Sequence, residues 1–192
     1  MKLLFATGNK HKLEEARRAL APYGITVEPC TAPKLELQAD SLSSIAAYAA
    51  QTAYVTLGGR EPVMVEDAGL FIKALNWFPG PYSSYVYKTI GINGVLRLLE
   101  GVADREAYFE SAVALAHPGG VVVFTHRVYG EITAEPRGSG GFGFDPIFKP
   151  RGSERTFAEM SIDEKNKYSH RAGAMRKLAE WIRRRPSSLY TH

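Results

Sequence analysis

Cysteine is almost absent from this chain, since Cys30 is the single cysteine among 192 residues. One cysteine excludes an intrachain disulfide framework, and such a residue is usually a small buried apolar group in a reducing compartment. Long apolar runs are also lacking. No stretch approaches the roughly 18 apolar residues of a membrane span, and the N-terminal run is too short for a signal peptide. We therefore expect a cytoplasmic protein without a membrane partner.

Three common catalytic motifs are missing as well. The sequence has no Walker A pattern, no zinc-ligand spacing and no nucleophile elbow, which argues against P-loop kinases, zinc hydrolases and α/β-hydrolases. It also has no internal repeat, no low-complexity tract and no linker-like segment. A chain of 192 residues without a linker predicts one domain, or one domain with two lobes.

Positive charge exceeds negative charge by four, which permits an acidic partner without identifying one. Much of the excess lies in Arg176-Lys177 and Arg183-Arg184-Arg185, along an amphipathic helical pattern. Basic side chains in the last turn complement the helix dipole. Because no aromatic series alternates with these arginines, a stable nucleic-acid partner is not expected.

The opening of the chain is its most informative segment. An apolar run, Leu3 to Ala6, ends in the polar turn Thr7-Gly8-Asn9, and Lys10-His11-Lys12 then start a helical pattern. A strand that enters a helix in this way offers backbone N–H groups and the positive end of the helix dipole to an anion. Cations are disfavoured at this end of a helix, and a bound polyphosphate would offset their repulsion. An ordinary turn with solvated lysines is the alternative.

Hydrophobic periodicity predicts an α/β protein in which strands dominate the later part of the chain. Two β-rich stretches flank His117-Pro118-Gly119-Gly120, which is a hairpin signal. Near the C-terminus, Ser161 is the predicted N-cap of a helix, with Glu164 completing a capping box. The predicted strands cover 2–6, 26–29, 63–65, 108–116 and 121–132, and the predicted early helices cover 12–20 and about 41–57.

An acidic pair, Glu66-Asp67, ends the third predicted strand. Ligands gather at the carboxyl ends of strands in α/β sheets, and neighbouring strand residues point to opposite faces, so only one of the pair can face a given site. A hard divalent ion beside a polyphosphate takes one or two carboxylates from the protein. Asp67 and Glu36 are the candidates. The alternative is that the pair only polarises a turn before Gly69.

A glycine-rich loop with three phenylalanines extends from Pro136 to Pro150. Residues 138–143 spell the dinucleotide fingerprint, but Pro146 and Pro150 prevent the helix that this fingerprint needs. We interpret the loop as one that sandwiches a planar heterocycle between phenylalanine faces, with the backbone close to the ligand. Phenylalanines that only fill a core are the alternative. Farther on, His170-Arg171, with Lys165 before them, could read base oxygens or carry phosphate charge, which is weak evidence alone.

Taken together, five segments in this order resemble the inosine triphosphate pyrophosphatase family, the dITP/XTP pyrophosphatases that remove non-canonical purine nucleotides. The resemblance extends from Leu3 to about Trp181. It rests on TGNKHK at 7–12, EDAGL at 66–70, FPGPYS at 78–83, GFGFDP at 141–146, and Lys165 with SHR at 169–171. It implies an α/β fold with a long mixed, twisted sheet flanked by helices, two lobes and the site in their cleft. It also implies a homodimer, with residues 77–87 buried at the dimer contact, in the cleft or in the core.

The activity implied by the resemblance is Mg²⁺-dependent hydrolysis of ITP, dITP and XTP to nucleoside monophosphate and pyrophosphate, which cleanses the nucleotide pool. Asp67 carries over as the general base, and Glu36 and Asp67 as the metal ligands. Phosphate contacts carry over to Thr7, Gly8, Asn9, Lys10, His11 and Lys12, and nucleoside contacts to Ala68, Phe142, Gly143, Phe144, Asp145, Lys165, His170 and Arg171.

The chain departs from the family pattern at two points. Ala68 stands where the family commonly has serine, so any contact there uses the backbone. The helix predicted from Ser41 to Leu57 has no lysine, whereas many members carry one, and Lys10 or Lys88 could substitute. Two rival functions stay open: a non-catalytic nucleotide or nucleic-acid binding module, and a pyrophosphatase for other modified nucleotides.

Overall fold

A mixed sheet and six α-helices make up the part of the chain that the computed structural model describes, residues 1–32 and 37–184. The strands are β1 (Lys2–Ala6), β2 (Thr26–Cys30), β3 (Val63–Ile72), β4 (Pro79–Gly80), β5 (Glu106–His117), β6 (Gly120–Ile132) and β7 (Phe148–Pro150). The helices are α1 (Lys10–Leu20), α2 (Leu42–Thr56), α3 (Ser83–Thr89), α4 (Gly91–Leu98), α5 (Ile162–Tyr168) and α6 (His170–Arg184). Four short 3₁₀ helices, at Ala21–Tyr23, Lys73–Leu75, Asp145–Ile147 and Phe157–Glu159, complete this description.

Strand order in the sheet is β2-β1-β3-β5-β6-β7, and β4 pairs with β3 beside this path. β1 is parallel to β2 and β3, whereas β4 is antiparallel to β3 and β7 is antiparallel to β6. The expected mixed sheet is therefore confirmed. The β5–β6 hairpin is confirmed as well, with the Gly119 N–H donating to His117 Nδ1 at 3.1 Å inside its turn.

Two predicted element ends were wrong. The third strand does not stop at the acidic pair but continues to Ile72, because Leu70 and Phe71 pair with β4. The glycine-rich segment is not a loop all the way to Pro150, because its last residues form a 3₁₀ helix and then β7, which pairs with β6. In both cases pairing with another strand extends regular structure past a local breaker.

The chain forms two compact units. The first unit comprises Met1–Asp67, Ser111–His126 and Arg171–His192, and the second comprises Ala68–Glu110 and Arg127–His170. Each unit has its own apolar core. In the first unit the core includes Leu3, Phe5, Leu20, Met64, Leu115 and Leu178, and in the second it includes Leu70, Ile72, Phe109, Phe148 and Phe157.

Helix α1 follows β1 directly and packs its apolar face into the core of the first unit. Ala16 and Leu20 are fully buried, and the 3₁₀ turn that follows ends at Gly24, which has a left-handed φ of 70°. This packing holds the start of α1 beside the end of β1. Among the described residues, no helix is long and apolar enough to cross a membrane.

Gly130 provides a test of the β6–β7 pairing in the second unit. A Cβ at this position would lie 2.2 Å from the Lys149 carbonyl oxygen and 2.8 Å from the Phe148 ring. We therefore expect Gly130→Ala to lower the free energy of unfolding by about 1–3 kcal/mol, because the strands must move apart. Gly8→Ala is the control, since a Cβ there meets no atom within 4 Å. If chemical denaturation gave Gly130→Ala the same unfolding free energy as the wild type, that result would contradict the steric argument.

Candidate active site

The turn between β1 and α1 is built by its own side chains. Asn9 is the N-cap of α1, and its Oδ1 accepts hydrogen bonds from the backbone N–H groups of His11 at 2.9 Å and Lys12 at 3.2 Å. Thr7 Oγ1 accepts from the Asn9 N–H at 3.2 Å. The first turn of α1 contains no acidic side chain, and Lys10 and His11 are exposed. The predicted phosphate turn therefore has a defined conformation and a positive end.

The side chain of Lys12 points back toward strand β3. Its Nζ lies 2.9 Å from Glu66 Oε2 and donates a hydrogen bond to the Glu66 carbonyl oxygen at 3.3 Å. The Lys12 side chain is 18% exposed, whereas the Glu66 side chain is completely buried. The lysine thus links the N-terminal turn of α1 to the strand that carries the acidic pair.

Glu66 is the centre of a buried charge cluster in the first unit. Its Oε1 accepts a hydrogen bond from the Ser111 hydroxyl at 2.7 Å and lies 3.1 Å from Arg171 Nε. The same guanidinium donates through Nη1 to Glu15 Oε2, on the buried side of α1. Lys12, Glu15, Glu66, Ser111 and Arg171 are named the Glu66 cluster below.

The Glu66 cluster changes the protonation equilibria of Glu66 and Arg171. Burial alone would raise the pKa of Glu66, but the charges of Arg171 and Lys12, with hydrogen bonds from Lys12 and Ser111, outweigh it and hold the pKa well below its usual value. Burial opposes the charged form of Arg171 too, yet Glu66 and Glu15 together raise its pKa. Glu66 and Arg171 are therefore both ionised in the folded protein.

Asp67 differs from its neighbour in its surroundings. The two residues are consecutive on β3, so their side chains point to opposite faces, and Asp67 is half-buried. Glu66 cannot serve as a metal ligand while its carboxylate is buried and paired with cations. A partly exposed carboxylate is the type of ligand that a hard divalent cation takes, so the chemistry of Asp67 fits the predicted metal, and its role as a ligand stays a prediction. The second predicted ligand, Glu36, lies outside the described residues.

A second set of predicted residues lies in the second unit. Asp145 Oδ2 accepts a hydrogen bond from the Phe142 N–H at 2.9 Å and another from Lys165 Nζ at 2.6 Å. Asp145 and Lys165 are both buried, and the Lys165 ammonium lies 5.1 Å from the Phe142 ring centroid. Gly141 has a φ of 67°, and a Cβ there would lie 2.1 Å from Asp145 Oδ2. One carboxylate thus ties the loop at residues 141–142 to Lys165.

The aromatic residues predicted to hold a base differ in exposure. Phe142 and Gly143 are half-buried, whereas Phe144 is buried and packs edge-on against Tyr87 at 5.4 Å. His170 is buried as well and stacks on Phe109 with 4.6 Å between ring centroids. The half-buried Ala68 lies on β3, next to Asp67. Phe142 is therefore the one phenylalanine of the glycine-rich segment that is not buried. The roles of all these residues stay predictions.

Sequence reasoning missed two members of the Glu66 cluster, Glu15 and Ser111. Glu15 carried a weak signal, since it lies three residues after Lys12 and four before Ala19, at the edge of the apolar face of α1. An acidic residue at such a position needs a buried partner. Ser111 carried no signal, because its contact with Glu66 joins residues 45 positions apart. The N-cap at Ser161 is confirmed, with its hydroxyl accepting from the Glu164 N–H.

The depressed pKa of Glu66 predicts a pH-dependent contribution to stability. Ionised Glu66 stabilises the fold above the ordinary carboxyl pKa of 4.5, and this contribution is lost as the pH falls below that value. We expect Glu66→Gln to cost about 3–5 kcal/mol at neutral pH, because it leaves buried cations without their carboxylate. The difference from the wild type should shrink by up to about 1.4 kcal/mol per pH unit below about pH 4.5.

Urea unfolding between about pH 3 and about pH 7 measures this difference. The control is Glu61→Gln, which removes an exposed ion pair with Lys2 and should change the unfolding free energy by less than about 1 kcal/mol. A wild-type advantage over Glu66→Gln that stays constant down to about pH 3 would show that Glu66 does not have a depressed pKa.

Comparison with known proteins finds relatives along almost the whole chain. The dITP/XTP pyrophosphatase of Hyperthermus butylicus is 59% identical over 181 residues, which are 94% of this chain and 94% of that protein. The dITP/XTP pyrophosphatase of Methanopyrus kandleri is 54% identical over 184 residues, covering 95% of this chain and 97% of the relative. Similarity at this level extends over both sets of predicted residues.

Solved structures agree with the sequence comparison. A HAM1 protein from Coxiella burnetii superimposes with a TM-score of 0.83 at 33% identity, over 96% of this chain and 99% of that one. A nucleoside-triphosphatase, dITP/XTP pyrophosphatase, from Mycobacterium abscessus gives a TM-score of 0.70 at 34% identity, over 95% and 99%. The sequence model of the Ham1 family matches residues 3–181. With this match the resemblance drawn from the five segments is confirmed, and the chain belongs to the Ham1 family.

Proposed function

We propose that this protein hydrolyses the non-canonical purine nucleotides ITP, dITP and XTP to the nucleoside monophosphate and pyrophosphate, and so removes them before they enter DNA or RNA. The observation that carries the proposal lies in the first unit. There the capped start of α1 is rich in cations, and Lys12 is held against β3, the strand that contains Asp67. Relatives named dITP/XTP pyrophosphatase, identical at up to 59% of positions, support the substrate class.

The start of α1 is the phosphate-binding element of the proposed enzyme. A helix N-terminus attracts anions through its N–H groups and dipole, and Lys10, His11 and Lys12 add mobile positive charge. Thr7, Gly8 and Asn9 shape the turn so that the backbone approaches the phosphates. Positive charge at this end also stabilises the negative charge that develops on phosphate oxygens in the transition state.

Asp67 is the proposed general base and metal ligand. It orients or deprotonates a water molecule whose oxygen attacks the α-phosphorus, the bond from that phosphorus to the bridging oxygen breaks, and pyrophosphate leaves. Mg²⁺ held by Asp67 and Glu36 would neutralise charge on the triphosphate. Support comes from the half-buried position of Asp67, since the neighbouring Glu66 is fully buried and paired.

Nucleoside recognition is assigned to residues 142–145 with Lys165, His170 and Arg171, and to the backbone of Ala68. Phe142 offers part of a ring face for stacking, which contributes about 1–3 kcal/mol per base. Hydrogen-bond donors facing O6 favour inosine and xanthine, because the 6-amino group of adenine would leave donor facing donor at a cost of about 1–3 kcal/mol. This contact alone does not separate ITP from GTP, which also has O6.

A homodimer in the cytoplasm is the proposed physiological form. Support comes from exposed aromatic side chains between positions 77 and 87, which are unusual on the surface of a monomer. These are Trp77, Phe78, Tyr82, Tyr85 and Tyr87, of which Tyr85 is 70% exposed.

A substrate panel tests the proposed activity. We expect pyrophosphate release from ITP, XTP and dITP in the presence of Mg²⁺, at rates at least about tenfold above those for ATP, because of the donor mismatch with adenine. Omitting Mg²⁺ should abolish turnover. Equal rates on ATP would refute the base-reading proposal, and faster turnover of dUTP would favour the pyrophosphatase for other modified nucleotides. Metal-independent binding of ITP without turnover would favour a binding module.

Asp67→Asn tests the assignment of the general base. Loss of the carboxylate should lower kcat for ITP by about 10²–10⁴-fold, which is the usual contribution of a general base. The unfolding free energy should stay within about 1 kcal/mol of the wild type, because the side chain is partly exposed. The control is Asp104→Asn, which removes an exposed carboxylate paired with Lys73 and should leave kcat unchanged. A near-normal kcat for Asp67→Asn would rule out this role.

A further inference from the structure

Glu15 belongs to the Glu66 cluster, but the proposed phosphate chemistry and nucleoside chemistry do not use it. Its side chain is 4% exposed, and it pairs with an Arg171 side chain that is 3% exposed. Arg171 in turn pairs with Glu66, which pairs with Lys12. Glu15 is therefore three contacts away from Lys12, through the buried side chains of Arg171 and Glu66, although the two residues are separated by less than one turn of α1.

The ion pairs of the Glu66 cluster join three segments of the first unit. Lys12 and Glu15 belong to α1, Glu66 belongs to β3, and Arg171 is the second residue of α6. Glu66 directly precedes Asp67, so a displacement of Glu66 is transmitted to Asp67 through one peptide bond. The cluster therefore connects the start of the phosphate-binding helix to the backbone that carries the proposed general base.

Charge is balanced inside the cluster, because two carboxylates face two cations. Arg171 lies between Glu15 and Glu66, and Glu66 lies between Arg171 and Lys12. If Glu15 lost its charge, Glu66 would be the remaining carboxylate of the cluster for both Arg171 and Lys12. Coulomb attraction in a buried site is strong enough to draw the carboxylate toward the more deeply buried guanidinium. Lys12 would then keep its positive charge at the start of α1, and with it the attraction for phosphate, but lose the partner that sets its position.

A role in fold stability alone does not explain such a cluster. Desolvation of buried charges offsets much of their attraction, and apolar residues of similar size often stabilise a fold as well or better. Hydrogen-bonded ion pairs do, however, set directions and distances that apolar contacts leave loose. Reaction rate is sensitive to such placement, because a shift of about 1 Å can cost about 10²-fold.

We propose that Glu15 is a positioning residue that, through Arg171 and Glu66, fixes Lys12 and Asp67 in the arrangement the reaction needs, and so controls turnover rather than substrate affinity. This inference rests on the proposed function, because it is measured as a rate of nucleotide hydrolysis. Glu15 itself contacts neither the substrate nor the attacking water.

Glu15→Gln tests the inference because it removes the charge and keeps the size of the side chain. We expect kcat for XTP to fall by about 10- to 100-fold. KM, and the inhibition constant of inorganic triphosphate, should stay unchanged or decrease, because the cluster gains one positive charge and attracts anions more strongly. The matched control is Glu14→Gln, on the same helix, which removes an exposed ion pair with Arg18. It should leave kcat and KM unchanged.

Ser111→Ala is the second variant, since it disturbs the cluster from β5 by removing the 2.7 Å hydrogen bond to Glu66. It should lower kcat by a smaller factor, again without raising KM, and it tests the inference if Glu15→Gln does not fold. The folded fraction of each variant is measured by denaturant unfolding at the assay temperature.

The outcomes separate this inference from the proposed function. A wild-type protein that releases no pyrophosphate from XTP or ITP would overturn both. If the wild type is active and Glu15→Gln and Ser111→Ala keep its kcat, only the positioning role is overturned. A loss of activity that matches the loss of folded protein would also overturn it, because it shows a purely structural role. A lower kcat in fully folded protein, without a higher KM, supports it.

Discussion

Glu66 has its carboxylate completely buried between an arginine and a lysine, and the chemistry proposed for the first unit depends on that contact. It keeps Lys12 against β3 instead of in solvent. The Glu66 side chain lies on the buried face of β3, where cations compensate its charge. Because side chains alternate along a strand, Asp67 points to the other face. The acidic pair thus divides into one residue that organises charge and one that is available for chemistry.

The second unit uses the same principle in a different element. Asp145 accepts both the Phe142 N–H and the Lys165 ammonium with one oxygen, and this pair is as deeply buried as the charges around Glu66. The glycine at 141 leaves room for that oxygen, since a Cβ would lie 2.1 Å from it. In each unit a buried carboxylate is paired with a cation: in the second unit it also holds the backbone of the loop at Phe142, and in the first unit it holds the side chain of Lys12.

Local sequence signals predicted most of the fold because they act over a few residues. The N-cap at Ser161, the hairpin around His117 to Gly120 and the helix in the alanine-rich segment are all found in the structure. The errors came where pairing with another strand extended a strand, at Ile72, or built a new one, at Phe148–Pro150. Glu15 escaped notice for a related reason, because its partner Arg171 lies 156 residues away.

The sequence by itself determined the family, the order of the motifs and the residue types at the turn of 7–12, at the acidic pair and in the glycine-rich loop, since these are short patterns with characteristic spacing. Only the tertiary structure decided which acidic residue of the pair is buried and what neutralises it. That depends on which side chains the packing brings within hydrogen-bonding distance, and on the loss of solvent around them, which makes pairing obligatory. Neither quantity is encoded in any local stretch of the chain.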